Sequence, residues 1–306
     1  VRVHGMLKTE SWTGVVAAKD KSAMVNFVVP ADRQPAQTRL EVRYSPTLAG
    51  ALVDALPYLV FSENKSTEQT LNRFLPTVIT QDLLRKMKID LDAVRRKRTN
   101  LNAQELGDAT ERARQWQRIR RNPVFDPAEV QRLVKLGVQA LTEMQLSDGG
   151  WGWFSGYAER SGPHTTATVI HGLTLAKAND VALVPGVYEK GVAWLKRFQA
   201  KELAKLQNAA TKTKPFKSRA TNVDALVFRV LVDAGVVEKP MGDFLYRDRV
   251  HLSVYAKGLV GLAFHKMGDR QRLAMVLRNI DQFLQQDDEN QTAYLKLAEG
   301  RMWWRW

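Results

Sequence analysis

The sequence predicts a mainly α-helical fold, an α/α toroid of antiparallel helical hairpins, with a short β-rich segment at its start. Three observations lead to this prediction. Apolar residues recur at three- and four-residue steps from about residue 47 onward, which is the period of amphipathic helices. The predicted helices are roughly 10 to 20 residues long with short links, so consecutive helices must pack antiparallel. Alternation with a period of two is confined to residues 1–45.

Composition and length are those of a folded protein and exclude several kinds of site. Of the 306 residues, 44% are hydrophobic and 25% are charged. There is no cysteine, which excludes disulfides, thiolate metal sites and a cysteine nucleophile. No run of about 20 apolar residues occurs, so we predict no direct insertion into a membrane. The chain opens on Val1-Arg2-Val3 without an initiator methionine, and we interpret it as a piece of a longer protein.

The formal net charge of +14 favours anionic partners. Basic residues cluster at 95–98 and again at 112–121. We interpret both clusters as solvated helix faces. Because no zinc-finger, RNA-binding or recognition-helix pattern accompanies them, we predict no nucleic-acid partner. A structural envelope component that binds an anionic polymer through these basic faces remains an alternative.

Residues 1–45 form the first predicted unit, a β-rich segment. Apolar runs occur near Val15 and from Met24 to Val29, and residues 40–44 alternate apolar and polar side chains as a half-buried strand does. A few strands without partners are not stable alone. We therefore predict that this segment is part of a flanking β-sandwich domain that is completed elsewhere.

Residues 46–306 form the second predicted unit, which is helical. The apolar residues of its first helix fall on one predicted face: Leu52, Ala55, Leu56 and Leu59. A second helix is predicted to begin near Ser66 and to continue through Leu75. Gln69 follows Ser66 at the spacing of a capping box, in which each side chain bonds the backbone of the other residue.

Later helices are indicated by start signals and by spacing. Asp126 followed by Pro127 predicts a helix start, with the aspartate as N-cap and the proline in the first turn. A very polar helix is predicted over 100–118, on the outside of the fold. The remaining predicted helices cover 165–179, 186–207, 220–234, 250–267, 270–285 and 290–299.

Two stretches of the sequence carry specific patterns. The first runs from Ser66 to Pro76 and reads Ser-Thr-Glu-Gln-Thr-Leu-Asn-Arg-Phe-Leu-Pro. The second runs from Gln145 to Phe154 and reads Gln-Leu-Ser-Asp-Gly-Gly-Trp-Gly-Trp-Phe. Its glycines permit tight backbone geometry. Its two tryptophans are predicted to plug adjacent helix ends.

The first stretch resembles the thioester-type helical domain of bacterial alpha-2-macroglobulin-like proteins. That family has a cysteine, one variable residue, Glu, Gln and Thr, then a hydrophobic helix with Arg, Phe-Leu and Pro. This sequence is similar from Glu68 to Pro76, with Ser66 at the cysteine position. The tryptophan-rich turn, residues 165–173 and the closing Trp303–Trp306 are similar too, so the resemblance covers residues 38–306. It implies the toroid, here C-terminally incomplete, beside a CUB-like flanking domain.

The resemblance implies a chemistry for which this sequence lacks one partner. In the family, a cysteine sulfur and a glutamine carbonyl three residues apart form an internal thioester, which traps an attacking amine or hydroxyl covalently. A cysteine thiol has a pKa of about 8.5 and leaves readily as a thiolate, whereas an alkoxide is a far worse leaving group. We therefore predict that Ser66, Glu68 and Gln69 are a degenerate motif in which no such bond forms. Some members use a histidine, and we assign no role to His164 or His171.

The function implied by the resemblance is that of a non-covalent peptidase-inhibitor or trap module in a large bacterial envelope protein. Its expected partners are peptidases and the neighbouring domains of the same chain. Its expected location is the periplasm or cell envelope, with a lipoprotein anchor elsewhere in the full-length protein as one option. We predict no enzyme activity, no catalytic residue, no cofactor and no metal site.

An enzyme on the same kind of helical ring is the other alternative. The tryptophan-rich turn also occurs in terpene cyclases, but their Asp-x-Asp-Asp acid motif is incomplete at Asp90-Leu91-Asp92-Ala93. A glycan-active enzyme would use two carboxylates across a cleft, with Trp151 and Trp153 stacking on sugar. The acidic run at 287–289 could suggest a magnesium site, but we interpret it as the acidic start of a helix.

Overall fold

The structure is a computed structural model that describes residues 22, 24, 26–38, 40, 49–60, 66–93, 122–156, 158–287 and 292–297. Ten α-helices lie in these ranges: α1 Ala49–Val60, α2 Thr67–Asn72, α3 Leu75–Lys86, α4 Pro127–Glu143, α5 Pro163–Ala178, α6 Val187–Asn208, α7 Asn222–Asp233, α8 Lys239–Arg247, α9 Val254–Met267 and α10 Arg270–Asp281. Three short 3-10 helices cover Pro35–Gln37, Pro123–Phe125 and Arg249–His251. Two strands, β1 Leu284–Asp287 and β2 Thr292–Leu295, pair antiparallel.

Backbone contacts divide the molecule into two units. One holds the helices up to Ile280, and the other includes the β1–β2 hairpin. The prediction of a mainly helical fold is confirmed. The toroidal arrangement and the predicted domain limits, 1–45 and 46–306, stay predictions. In the described part of the chain, no helix has the length and apolar character needed to cross a bilayer.

The core of the helical unit is built around α7. On one side of this helix, Val227 and Leu231 are fully buried in a cluster that also contains residues of α4, α5 and α6. On the other side, Ala225 and Phe228 are fully buried in a second cluster with residues of α8, α9 and α10. α7 thus packs apolar side chains into both clusters. α7 therefore joins the two halves of the core.

Several helix positions agree with the sequence predictions. The Asp126 side chain caps α4 by accepting hydrogen bonds from the N–H groups of Ala128 and Glu129, at 3.0 and 3.1 Å. The helices predicted at 165–179, 186–207 and 220–234 correspond to α5, α6 and α7. The helix predicted at 250–267 is a 3-10 turn followed by α9. α8 was absent from the predictions.

The predicted second helix is in fact two helices. α2 ends at Asn72, and α3 begins at Leu75 with Phe74 as its N-cap. Pro76 causes this break because it has no N–H to continue the hydrogen-bond ladder of α2. The same residue suits the first turn of a new helix, where the N–H would be unpaired in any case.

The helix predicted at 290–299 is wrong, since Thr292–Leu295 is strand β2. Its β-branched and aromatic residues suit a strand, and β1 supplies the hydrogen-bonding partner. The interpretation of Asp287 as the start of a helix is wrong for the same reason, because Asp287 ends β1 opposite Thr292. The helix predicted at 270–285 is α10, which stops at Asp281.

α1 buries only part of the predicted face. Val53, Leu56 and Val60 are buried, whereas Ala55 is exposed and Leu59 is 38% exposed. Val53 and Leu56 pack in one cluster with residues of α3 and of the Pro123–Phe125 turn. Apolar spacing gives the helical period, but the neighbouring elements decide which of two adjacent stripes faces the core.

Some predictions fall outside the described residues. These are the polar helix at 100–118, the basic clusters at 95–98 and 112–121, the closing Trp303–Trp306 and most of the β-rich segment. Within 26–38, the described part of that segment contains a 3-10 helix and no strand, and Val28 is exposed.

Candidate functional site

The two sequence motifs meet in the structure. The backbone N–H of Thr67 donates to the carbonyl oxygen of Trp153 at 3.0 Å. The Thr67 hydroxyl donates to the carbonyl oxygen of Gly152 at 2.7 Å, although these residues are 85 positions apart. Thr67 is fully buried, so both of its polar groups are paired away from water. We call this contact between the turn at 66–69 and the loop at 151–154 the junction.

Ser66 is the N-cap of α2. Its side-chain oxygen accepts a hydrogen bond from the N–H of Gln69 at 3.3 Å, which satisfies one of the unpaired amides at the start of a helix. The Thr70 hydroxyl donates to the Ser66 carbonyl oxygen at 2.9 Å. Ser66 is only 5% exposed, so its hydroxyl lies against the turn.

Gln69 does not complete the predicted capping box. Its side-chain oxygen Oε1 is buried and has no hydrogen-bond partner within the described ranges, whereas a capping box would place it on the N–H of Ser66. Glu68 lies in the first turn of α2, where the helix dipole favours a carboxylate. Local helix geometry thus brings the three residues that the resemblance singles out, Ser66, Glu68 and Gln69, onto one turn.

The close packing of α2 against α5 depends on a glycine. A Cβ atom at Gly172 would lie 2.5 Å from Cδ2 of Leu71, far inside contact distance. α2 therefore approaches α5 this closely because residue 172 has no side chain. Leu71 is 3% exposed and belongs to the larger core cluster. This burial holds the Ser66 turn against the core.

Trp151 anchors the loop side of the junction. Its ring is fully buried, and its Nε1–H donates to the carbonyl oxygen of Leu141 in α4 at 2.8 Å. Its backbone N–H donates to the hydroxyl oxygen of Thr166 in α5 at 3.0 Å. In contrast, Trp153 and Phe154 are each 51% exposed, so the prediction that both tryptophans plug helix ends is wrong for Trp153.

The turn before Trp151 is fixed to the start of α6. The Gln145 Nε2 group donates to the carbonyl oxygens of Gly149 and Val187, both at 2.9 Å. Gly149 has a φ of 91°, in the left-handed region that favours glycine. A Cβ atom there would also lie 2.9 Å from the carbonyl oxygen of Lys190. Both the backbone conformation and the close approach therefore require glycine.

Asp148 accepts hydrogen bonds from its own turn, from the loop before α5 and from α6. Its Oδ1 accepts from the Ser161 hydroxyl at 2.6 Å and the Gly150 N–H at 3.1 Å, and its Oδ2 accepts from the Trp194 Nε1–H at 2.8 Å. Arg197 donates to its carbonyl oxygen at 2.7 Å. Desolvation raises the pKa of Asp148, but these hydrogen bonds and the charge of Arg197 outweigh it and lower the pKa below its ordinary value.

We expect Asp148→Asn to reduce the free energy of unfolding by about 1 kcal/mol at neutral pH. Every partner of the carboxylate is a donor, so the NH2 group of asparagine would face an N–H or O–H group that also needs an acceptor. The side chain is exposed, and solvent screening limits the loss of stability. A lowered folded-state pKa stabilises the protein above the ordinary pKa, and that contribution disappears as the pH falls through the folded value.

Urea unfolding of the wild type and of Asp148→Asn at a series of pH values tests this prediction. The difference between the two proteins should be largest at neutral pH and should shrink below about pH 4. A difference that stays constant down to strongly acidic pH would contradict it. Ser147→Asn, at the exposed neighbouring position, is the matched control.

The two histidines considered beside the motif lie on α5. His171 Nδ1 lies 3.9 Å from Oδ2 of Asp233 on α7, and Asp233 also pairs with Arg229. Desolvation lowers the pKa of His171, the charge of Asp233 opposes this and that of Arg229 adds to it; the net shift is downward. The carbonyl oxygen of His164 accepts from the Thr168 hydroxyl at 3.0 Å. Across the described residues, no three His, Asp or Glu side chains are grouped to hold a metal ion.

Sequence reasoning missed Thr67 and the partners of Asp148. Thr67 occupies the variable position of the motif, so no sequence pattern marks it. The one local signal for its role is that its hydroxyl group lies next to an N-cap residue. Trp194 and Arg197 reach Asp148 from positions 46 and 49 residues along the chain. No short spacing indicates contacts of that range.

Comparison with known proteins gives a likeness of fold. No family model and no curated protein matches the chain. The chain is similar to a point mutant of Salmonella alpha-2-macroglobulin, at 18% identity and a TM-score of 0.50, over 80% of this chain and 14% of that one. Salmonella alpha-2-macroglobulin reacted with methylamine gives 19% identity and a TM-score of 0.50 over the same shares. The native conformation of E. coli alpha-2-macroglobulin gives 18% identity and a TM-score of 0.48, over 80% of this chain and 13% of that one.

At these identities the likeness concerns the fold alone. The chain resembles part of the bacterial alpha-2-macroglobulin fold, and it spans 14% of the length of the Salmonella protein. The junction described above lies inside the helical unit that contains both motifs of the sequence resemblance.

Proposed function

We propose that this chain is the thioester-type helical domain of an alpha-2-macroglobulin-like protein and that it acts without a thioester. In this proposal the helices form an α/α toroid, and the domain is a non-covalent module of a peptidase trap. One observation carries the proposal: Thr67 fixes the Ser66 turn to the tryptophan-rich loop, so the two motifs of the resemblance form one local structure.

The chemistry of position 66 supports a non-covalent role. A thioester acylates amines because its thiolate, with a pKa of about 8.5, is a good leaving group. An ester of Ser66 would have to expel an alkoxide, which is far more basic. The Ser66 hydroxyl instead caps α2 and is 5% exposed. In this proposal the domain contributes packing and docking surface rather than a covalent bond, and it has no enzyme activity of its own.

The partners follow from the same proposal. A peptidase would cleave a bait segment in another part of the longer protein and be hindered physically once the domains rearrange. This chain would contact the peptidase and the neighbouring domains of its own protein. The site of action would be the periplasm or cell envelope, where foreign peptidases reach a bacterium.

The first test is intact-mass spectrometry after exposure of the chain to methylamine. We expect no change in mass and an unmodified Gln69 in the peptide map. Addition of methylamine at Gln69 would overturn the claim that the motif is inactive.

Ser66→Cys is the matched variant. Its thiol would meet the Gln69 carboxamide on the same turn, lose one ammonia on forming the thioester, and then gain one methylamine as the amine opens that bond and frees the thiol. If this variant keeps its full mass and does not react, the turn is not a thioester turn with serine in place of cysteine, and the proposal fails.

A second test concerns the partner. The chain is mixed with an active peptidase and analysed by native and denaturing electrophoresis. We expect a complex in the native gel that separates completely on denaturation. A complex that survives denaturation would contradict the non-covalent mechanism, and no complex in either gel would contradict the assignment of peptidases as direct partners.

A further inference from the structure

Positive charge is concentrated in α6 and the loop that follows it. Residues 190–219 contain nine lysines and arginines and one acidic residue, Glu202, so more than half of the net charge of +14 lies in this segment. The basic clusters singled out in the sequence lie elsewhere, at 95–98 and 112–121. This segment therefore forms a separate basic feature of the molecule.

Internal ion pairs use the single acidic residue of the segment. The two carboxylate oxygens of Glu202 lie 2.5 Å from Nζ of Lys205 and 2.5 Å from Nζ of Lys217. Lys217 is shared with Asp224, at 2.6 Å. Desolvation raises the pKa of Glu202, but its hydrogen bonds to both lysines and their charges lower it overall, so Glu202 stays ionised and paired.

The remaining cations of the segment are exposed. We call them, together with one aromatic residue, the α6 basic surface: Lys190, Lys196, Arg197, Lys201, Lys212, Lys214, Arg219 and Phe216. Among the residues that the structure describes, none of these cations forms an ion pair with a carboxylate. Arg197 donates to the carbonyl oxygen of Asp148, whereas the charges of the other six cations are available to an external partner.

The backbone places three of these cations on one side of α6, Lys196 about 100° around the helix from Arg197, and the other three beyond the end of the helix. Lys190, Arg197 and Lys201 are spaced by seven and four residues, which places them on one helix face. The loop folds back on the end of the helix: the Asn208 side chain donates to the Pro215 carbonyl oxygen at 3.2 Å, and the Lys217 N–H donates to the Lys205 carbonyl oxygen at 3.1 Å. Lys212, Lys214 and Phe216 are therefore displayed on a fixed loop.

Helix electrostatics do not account for this pattern. Cations are favoured in the last turn of a helix and disfavoured in the first. The basic residue in the last turn of α6 is Lys205, which is paired with Glu202. Lys190 lies near the start of the helix, and Lys212 and Lys214 lie beyond its end.

The side chains fit a charged lipid surface better than a single anionic group. Five of the seven cations are lysines, which act as hydrated point charges, whereas bidentate recognition of one phosphate favours arginine. Phe216 is 41% exposed between Lys214 and Lys217. An exposed aromatic ring flanked by lysines suits the boundary between lipid headgroups and acyl chains, where the ring is buried and the ammonium groups remain in water.

We infer that the α6 basic surface adsorbs to bilayers that contain anionic lipids, with Phe216 at the headgroup boundary. The contact is peripheral, because attraction to the lipid charge and burial of one aromatic side chain do not require a spanning segment. This inference is independent of the peptidase-trap proposal, since it rests on charge and exposure rather than on the Ser66 turn.

Vesicle flotation tests the inference. The probes are vesicles of phosphatidylcholine alone and of equal parts phosphatidylcholine and phosphatidylglycerol. We expect binding only to the mixed vesicles, and loss of that binding in high salt, since the Debye length falls from about 10 Å at 0.1 M to about 3 Å at 1 M. Equal binding to both kinds of vesicle would overturn the inference, as would no binding to the mixed ones.

Charge reversal locates the surface. We expect the fourfold variant Lys196→Glu, Lys201→Glu, Lys212→Glu and Lys214→Glu to bind the mixed vesicles about a hundredfold more weakly, or worse. The matched control makes the same change of net charge at exposed cations on other helices: Lys135→Glu, Lys239→Glu, Lys266→Glu and Arg270→Glu. We expect the control variant to bind the mixed vesicles only a few-fold more weakly than the wild type. Equal weakening in the two fourfold variants would show that net charge alone is responsible, contrary to the inference.

Phe216→Ala separates a lipid surface from a soluble polyanion. We expect this variant to bind mixed vesicles about tenfold more weakly and to bind soluble polyphosphate as the wild type does. If vesicle binding is unchanged while polyphosphate binds tightly, the partner is an anionic polymer and the inference is wrong. Circular dichroism confirms folding; if the glutamate variant unfolds, glutamine at the same four positions replaces it.

Discussion

Replacement of Trp151 by alanine is expected to lower the free energy of unfolding by about 3–5 kcal/mol. The indole is fully buried between α4, α5 and α6, and its removal leaves a large cavity. It also leaves the Leu141 carbonyl oxygen, which accepts the Nε1–H at 2.8 Å, without that donor. Urea unfolding followed by circular dichroism measures the change.

Two variants control for size and for the indole N–H. Trp153→Ala removes the same side chain at a position that is 51% exposed, and we expect a loss within about 0.5 kcal/mol, as for most surface changes. Trp151→Phe keeps most of the ring but no N–H, and should cost about 1–3 kcal/mol. Equal losses for Trp151→Ala and Trp153→Ala would contradict the assignment of Trp151 as the anchor of the loop.

Lys217→Met is expected to cost about 3 kcal/mol. The ammonium group bridges Glu202 and Asp224, at 2.5 and 2.6 Å, and the Asp224 side chain is only 1% exposed. Methionine fills a similar volume but leaves two carboxylates close together without their shared cation. The Asp224 side chain also accepts hydrogen bonds from Thr221 at the start of α7, so the effect reaches the central helix.

The loss of stability in Lys217→Met is expected to depend on pH. In the wild type, Lys217 helps to lower the pKa of Glu202. That stabilisation is present above the ordinary pKa of the carboxyl and is lost as the pH falls through the lowered value. The cost of Lys217→Met should therefore be greatest at neutral pH and smaller below about pH 4. Lys196→Met, at an exposed lysine without an ion pair in the described region, is the control and should change stability by less than about 0.5 kcal/mol.

The serine at position 66 stabilises the turn that it begins. Serine is among the best N-cap residues, because its oxygen accepts from the free amides of the first helical turn. Here it accepts from the N–H of Gln69, while Thr67 fixes the same turn to the tryptophan-rich loop. The Ser66→Cys and methylamine experiments ask whether the leaving group is the one missing element.

Part of the fold was predictable because it depends on nearest neighbours. The Asp126 cap, the helical period of 165–234 and the start of a helix at Ser66 involve residues within one or two turns of each other. α8 was missed although Pro240 in its first turn is a start signal. The predicted second helix is too long because it extends through Leu75, whereas Pro76 already ends the hydrogen-bond ladder of α2 at Asn72.

Other features were beyond local reasoning. Val53 of α1 is buried beside the predicted Leu56, whereas Ala55 and Leu59 are exposed, because α3 and the Pro123–Phe125 turn cover Val53 and Leu56. Thr292–Leu295 is a strand because β1 pairs with it. The basic composition of 190–219 was readable in the sequence, but only the structure pairs Glu202 with two lysines and leaves the other cations exposed.

The sequence by itself determined that this chain is mainly helical, where most of its helices begin, and that residue 66 is a serine at a helix start. Those properties depend on short-range hydrogen bonds, hydrophobic period and residue identity. Only the tertiary structure decided that Thr67 bonds to Gly152 and Trp153, that Asp148 is bonded by Trp194, and which helix faces are buried. Such contacts join residues tens of positions apart, and their free energy arises from burial and pairing that exist only once the helices have packed.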